Sequence, residues 1–239
     1  MSVLTSPPQS ARSGAPARPG RGWAAAGAVA AVLGGLSTGV VSSHLNAVYE
    51  VSPRGAEATV AAMADERAWV LAHHVTNLPA ALLLLVAAAG LHRRLAGRLA
   101  RGSLLPAVAA GGLGLVSVAG LMGTGLTTEL YFGLGDPSLA VPEALVLMGH
   151  WTGTVAWLWV GAGVTGLCVA LAALRHRAAP AWLGVASLLL GGLTLLVGVS
   201  PFQYLAGMTG PVWLLVVSLG FWLGDRRAGR LEPRPEIPA

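Results

Sequence analysis

Apolar residues run in long blocks, and the arginines sit between them. No other feature constrains the fold as strongly. A block of about twenty apolar residues crosses about 30 Å of hydrocarbon as a helix, and a helix satisfies its own backbone there. Six such blocks are read at 23–43, 70–91, 103–126, 145–174, 181–199 and 203–224. The fourth is longer than a crossing needs and is expected to tilt or protrude. Gly207, Gly210 and Pro211 interrupt the first half of the sixth, so five crossings with a re-entrant last segment is the alternative. Composition agrees: 54% of residues are hydrophobic and 10% charged, where a soluble domain carries about 25% charged residues. Too few charges remain to cover a water-facing surface. The expected fold class is all-α, a polytopic transmembrane helical bundle of six spans.

The arginines set the expected orientation. All 15 basic residues are Arg. With the N-terminus inside, thirteen of them fall in cytoplasmic segments, and only Arg54 and Arg67 lie outside. That is a strong positive-inside bias. Seven of the ten acids (Glu50, Glu57, Asp65, Glu66, Glu129, Asp136 and Glu143) fall outside. Both termini are therefore expected to be cytoplasmic, in a multi-pass protein of the cell inner (plasma) membrane. The pI of about 10.6 does not imply nucleic acid, because the basic residues are placed as topology signals. Residues 1–22 and 225–239 are rich in Pro, Gly and Arg and read as disordered cytoplasmic arms on either side of the 23–224 bundle. Between the first two spans, a short outer helix is expected at about 56–68, with Val60 and Met63 toward protein or lipid. Its role is either a lid or a passive connector.

Small residues mark expected helix contacts. Gly27, Ala31, Gly35, Gly39 and Ser43 recur every four residues on span one. Span three offers Gly112, Val116, Gly120 and Thr124, and span five Ser187, Gly191, Thr194 and Gly198. Such stripes let helix backbones approach in lipid, and pairing with a second copy is open on the same faces. Trp23, Trp69, Trp151, Trp213 and Trp222 lie near span ends and read as interfacial anchors.

The segment WVLAHHVTNL (69–78) raises the question of chemistry. His73 and His74 fall near the outer end of span two, level with His44, Glu129 and His150 on other spans. Pro79 has no N–H, so the carbonyl of Val75 loses its helical partner beside these rings. The plain reading is hydrated or mutually bonded polar residues at span ends. A sharper one is a metal site, zinc or copper, from His44, His73 or His74, His150 and Glu129. A b-type haem would instead need axial histidines on facing helices, with His74 and His150 as the candidates. An acid–base enzyme acting on a lipid or isoprenoid would use Glu129, Asp136 or Glu143 as proton donor. Midplane charge is nearly absent, which argues against proton-coupled transport. No Cys-pair metal signature, phosphate loop or His-Glu-x-x-His motif occurs.

The stretch from Val51 to Arg98 resembles a pattern in small uncharacterised multi-span proteins of GC-rich bacteria. It has a short outer helix, a Trp-x3-His entry (Trp69 and His73) and an Arg-rich turn from His92 to Arg101. The Pro-x-Trp start of a late span, in AAPAWLGVASLLLGG (178–192), fits the same pattern. The likeness covers about two-thirds of the chain. It implies the fold and supplies no reaction, and His44, His74 and His150 lie outside it. The functional expectation is an integral membrane protein with an outer-face His/Glu site for a metal or haem. The alternatives are a non-catalytic scaffold or accessory subunit and a small lipid or isoprenoid enzyme. Expected partners are the lipid bilayer and either further copies of the chain or a larger membrane complex, with no nucleic acid.

Overall fold

A computed structural model describes residues 20–45, 47–136 and 138–231. Of the arms expected at 1–22 and 225–239, residues 1–19 and 232–239 lie outside these residues, while 225–231 continue the last helix instead of starting a disordered tail. The described residues are all-α, with no strand. Six helices among them are long and apolar enough to cross a membrane, as an integral membrane protein requires. They are α1 (Gly22–Val41), α4 (Arg67–Ala96), α5 (Leu105–Gly135), α6 (Pro142–Leu174), α7 (Ala181–Gly198) and α8 (Ala206–Leu231), the last entered through a 3-10 turn at Gln203–Leu205. Two short helices, α2 (Ala47–Glu50) and α3 (Ala56–Asp65), form a cap between α1 and α4.

Each long helix packs against its chain neighbours, and α8 closes the bundle against α1, α6 and α7. The inner core joins Trp23, Leu84, Leu113, Val169, Trp213 and Phe221. At 31 residues, α5 is about 46 Å long at 1.5 Å per residue, well beyond a hydrocarbon core. Its last turns pass position 126 because protein covers them. Leu130 and Leu134 join Leu45, Val48, Met63, Val70 and Leu145 in a second apolar cluster beneath the cap.

Glycines explain the close approaches. A Cβ on Gly112 would collide with the carbonyl of Gly161, and one on Gly161 with that of Gly112, so α5 and α6 touch backbone to backbone. A Cβ on Gly166 would stand 2.7 Å from Cα of Gly191, which sits in a π-helical turn of α7. In α8, Gly207 and Gly210 do not break the helix. They are contact points, against Ala156 and Trp159 respectively. Trp213 is not an interfacial anchor: it is 0% exposed and donates its indole N–H to Ser187 Oγ at 3.2 Å.

Two helix irregularities meet at the α1/α8 contact. Pro211 leaves the carbonyl of Gly207 without its usual helical donor. The Thr38 hydroxyl, inside the π-helical turn Leu36–Val41 of α1, lies 2.7 Å from that carbonyl and 2.8 Å from the carbonyl of Gly34, sharing its proton between them. A side chain of one helix thus satisfies a defect in another, as apolar surroundings demand.

Candidate functional site

The polar residues picked out in the sequence lie where α1 ends, α4 begins and α5 and α6 meet the cap. Successive residues on a helix point about 100° apart, so the two histidines of α4 serve different neighbours. His73 is 0% exposed, with Nδ1 3.0 Å from Ser37 Oγ on α1. His74 turns to α5, where Nδ1 lies 3.2 Å from both the Thr124 carbonyl and Thr127 Oγ1. One turn further along α4, Asn77 Nδ2 donates to the Gly120 carbonyl at 3.0 Å, and Ser117 Oγ on α5 donates back to the Ala81 carbonyl at 2.7 Å. Three successive turns of α4 and α5 are joined by side chain to backbone.

The other histidines are held separately. His44 lies flat on Trp69, ring centroids 3.9 Å apart and 13° from parallel, and its Nδ1 is 2.9 Å from the Val40 carbonyl. His150 meets Tyr49 edge-on at 5.1 Å. Partial burial pushes the Tyr49 phenol above its ordinary pKa, and neighbouring Tyr204 adds to the shift. Arg67 donates to the Tyr131 carbonyl at 2.9 Å and stacks over the Tyr131 ring at 4.0 Å.

Of the acids, Glu129 and Glu143 are exposed, and Glu143 lies in the first turn of α6. Asp136 accepts from Ser138 N at 3.0 Å and Ser138 Oγ at 2.7 Å, and these bonds hold its carboxyl below the ordinary aspartate range. Among the described residues, no three His, Cys, Asp or Glu side chains come close enough together to hold a metal ion. The metal candidates His44, His73, His74, Glu129 and His150 therefore occupy separate surroundings: Trp69, Ser37, the α5 threonines, solvent and Tyr49. As a haem pair, His74 faces α5 while His150 faces the cap.

Sequence reasoning located this polar layer but not its pairings. It missed Ser37, Ser117 and Arg67 as cross-helix donors or partners. The faint signal for the two serines was a hydroxyl inside an otherwise apolar span. Fold and site together define a class: an all-α chain with six membrane-length helices and a polar, capped end. No protein-family model matches this chain, nor does any curated protein or solved structure.

Proposed function

We propose that this chain is a multi-pass protein of the bacterial plasma membrane, both termini cytoplasmic, acting as a non-catalytic scaffold or accessory subunit. One observation carries the reading. Polar side chains at the capped end are engaged in joining helices, with His74 on Thr124 and Thr127, Asn77 on Gly120 and Arg67 on Tyr131. In lipid, such bonds contribute to helix association. A cap lying over the same ends then presents a fixed outer surface for another protein. The arginine bias supports the orientation, and the resemblance to small multi-span bacterial proteins supports the membrane assignment.

The test is elemental analysis and an absorption spectrum of detergent-purified protein, beside a His74→Ala, His150→Ala double variant. The expected result is no stoichiometric metal, no Soret band and a lower melting temperature in the variant. Stoichiometric metal or haem that the variant loses would overturn the scaffold reading and assign those histidines as ligands. Reporter fusions at both termini check the orientation, and activity of a periplasm-dependent reporter at either end would reverse it.

A further inference from the structure

The small-residue stripe of α1 is only half used by the protein. At its first part the helices are in contact: a Cβ on Gly27 would collide with Ser218 Oγ, and Trp23 lies 5.5 Å from Phe221. Further along, α1 and α8 part on their outward side. Gly35 only touches Pro211, and a Cβ on Gly39 would meet nothing within 4 Å. Between Ala31, Gly35 and Gly39 on α1 and Met208, Pro211 and Leu215 on α8 lies an open groove of about 390 Å³. That volume is within the range of ligand pockets, about 300–1,000 Å³. Every residue lining it is apolar or glycine. Thr38, the nearest hydroxyl, is bonded behind it to Gly34 and Gly207.

We infer that this groove binds one acyl chain of a bilayer phospholipid, an inference that rests on the membrane assignment above. Its length argues for a tail. From Ala31 to Val40 the helix rises about 13 Å, close to half of a hydrocarbon core of about 30 Å, and so nearly one leaflet. Toward Gly27 the helices close up, with Ser218 against that glycine, while the lining runs on to Val40 and Met208. A lipid tail has that reach, with its headgroup beyond Val40 and Met208. A second copy does not fit as well. A facing helix about 10 Å wide laid along this length covers roughly 150 Å² a side, far short of the ~800 Å² per partner of a stable association. A recessed tail gains dispersion contacts on three sides that a tail on a convex helix face lacks.

The experiment uses full-length protein in vesicles of phosphatidylcholine and phosphatidylglycerol, doped with a phospholipid carrying a mid-chain diazirine. After photolysis, labelled peptides are mapped by mass spectrometry. Labelling of 31–40 and 208–215 is expected to exceed that of the exposed α5 face at Leu115, Val118 and Met122 several-fold. Gly39→Trp, placed where a Cβ meets no atom within 4 Å, fills the groove and is expected to abolish the excess. Met208→Trp does the same from the opposite wall and serves if the first variant fails to fold. Equal labelling of both faces, or an excess that persists in the folded variants, would overturn the inference. So would a disulfide-linked dimer formed through Gly39→Cys, which would place a second copy there. Alkaline carbonate extraction separates the two levels: a chain released by carbonate overturns the membrane assignment as well, whereas a retained chain with uniform labelling overturns the groove alone.

Discussion

The α4/α5 contact and the α6/α7 contact hold together by different means. Between α4 and α5, side chains reach across to backbone: His74 to Thr124, Asn77 to Gly120 and Ser117 to Ala81. Between α6 and α7 the backbones themselves meet. Gly166 faces Gly191, and a Cβ on Gly163 would stand 2.5 Å from the Leu195 nitrogen, with one indole bond, Trp157 to Gly198, at the end. The first contact tolerates ordinary side chains and fixes register by hydrogen bonds. The second has no room to adjust and fixes register by shape. Apolar burial favours neither over lipid, so packing and bonding decide both.

The largest test of this contrast is Trp213→Ala. Trp213 fills the space beside Gly166, and truncating a buried tryptophan costs roughly 3–5 kcal/mol, to be read as a lower melting temperature and poor recovery of folded protein from detergent. Gly191→Leu comes next. It forces the α6 and α7 backbones apart, with a penalty of about 1–3 kcal/mol or more in thermal denaturation, whereas Gly39→Leu, with open space at its Cβ, is expected to change stability little. If the two glycine variants melt alike, the shape argument fails. Asn77→Leu and Ser117→Ala probe the bonded contact, each with an expected loss of about 0.6 kcal/mol, at most about 1.7. Losses in them that exceed the Gly191→Leu loss would invert the comparison.

The smallest effect is one of pH, in the turn between α5 and α6. The folded-state pKa of Asp136 is depressed by its two Ser138 bonds. Its contribution is therefore present above the unfolded aspartate value, about 3.9, and is lost as pH falls through the lower folded value. Asp136→Asn is expected to flatten that acid-side dependence by giving up the small contribution at neutral pH, as a melting series from neutral to acidic pH would read.

Much of this architecture was legible because lipid leaves few options. Runs of apolar residues between arginines mark six helices, and the stripe through Gly112 and Gly191 marks real contacts. What escaped was partnership. Trp213 read as an anchor because tryptophans favour span ends, yet Ser187 supplies a buried acceptor that nothing local announces. The overrun of α5 to Gly135 was hidden because LTTELYFGLG looks like a span end. The cap, together with Val70 of α4 and Leu145 of α6, gives Leu130 and Leu134 something to bury against. Likewise His73 and His74 were visible as a polar pair, but which helix each addresses depends on where α1 and α5 lie.

The bond from Thr38 to the carbonyl of Gly207 has a consequence for how the sequence can change over time. Pro211 is tolerated in α8 because a hydroxyl on another helix answers the carbonyl it leaves bare. Loss of Thr38 while the proline stays strands that carbonyl. Replacement of Pro211 by a residue with an N–H restores the internal helical bond and frees position 38 from its obligation. The order of substitution therefore matters: the proline must go first, and the threonine is then open to drift. Two positions far apart in the chain are bound into one permitted sequence of steps.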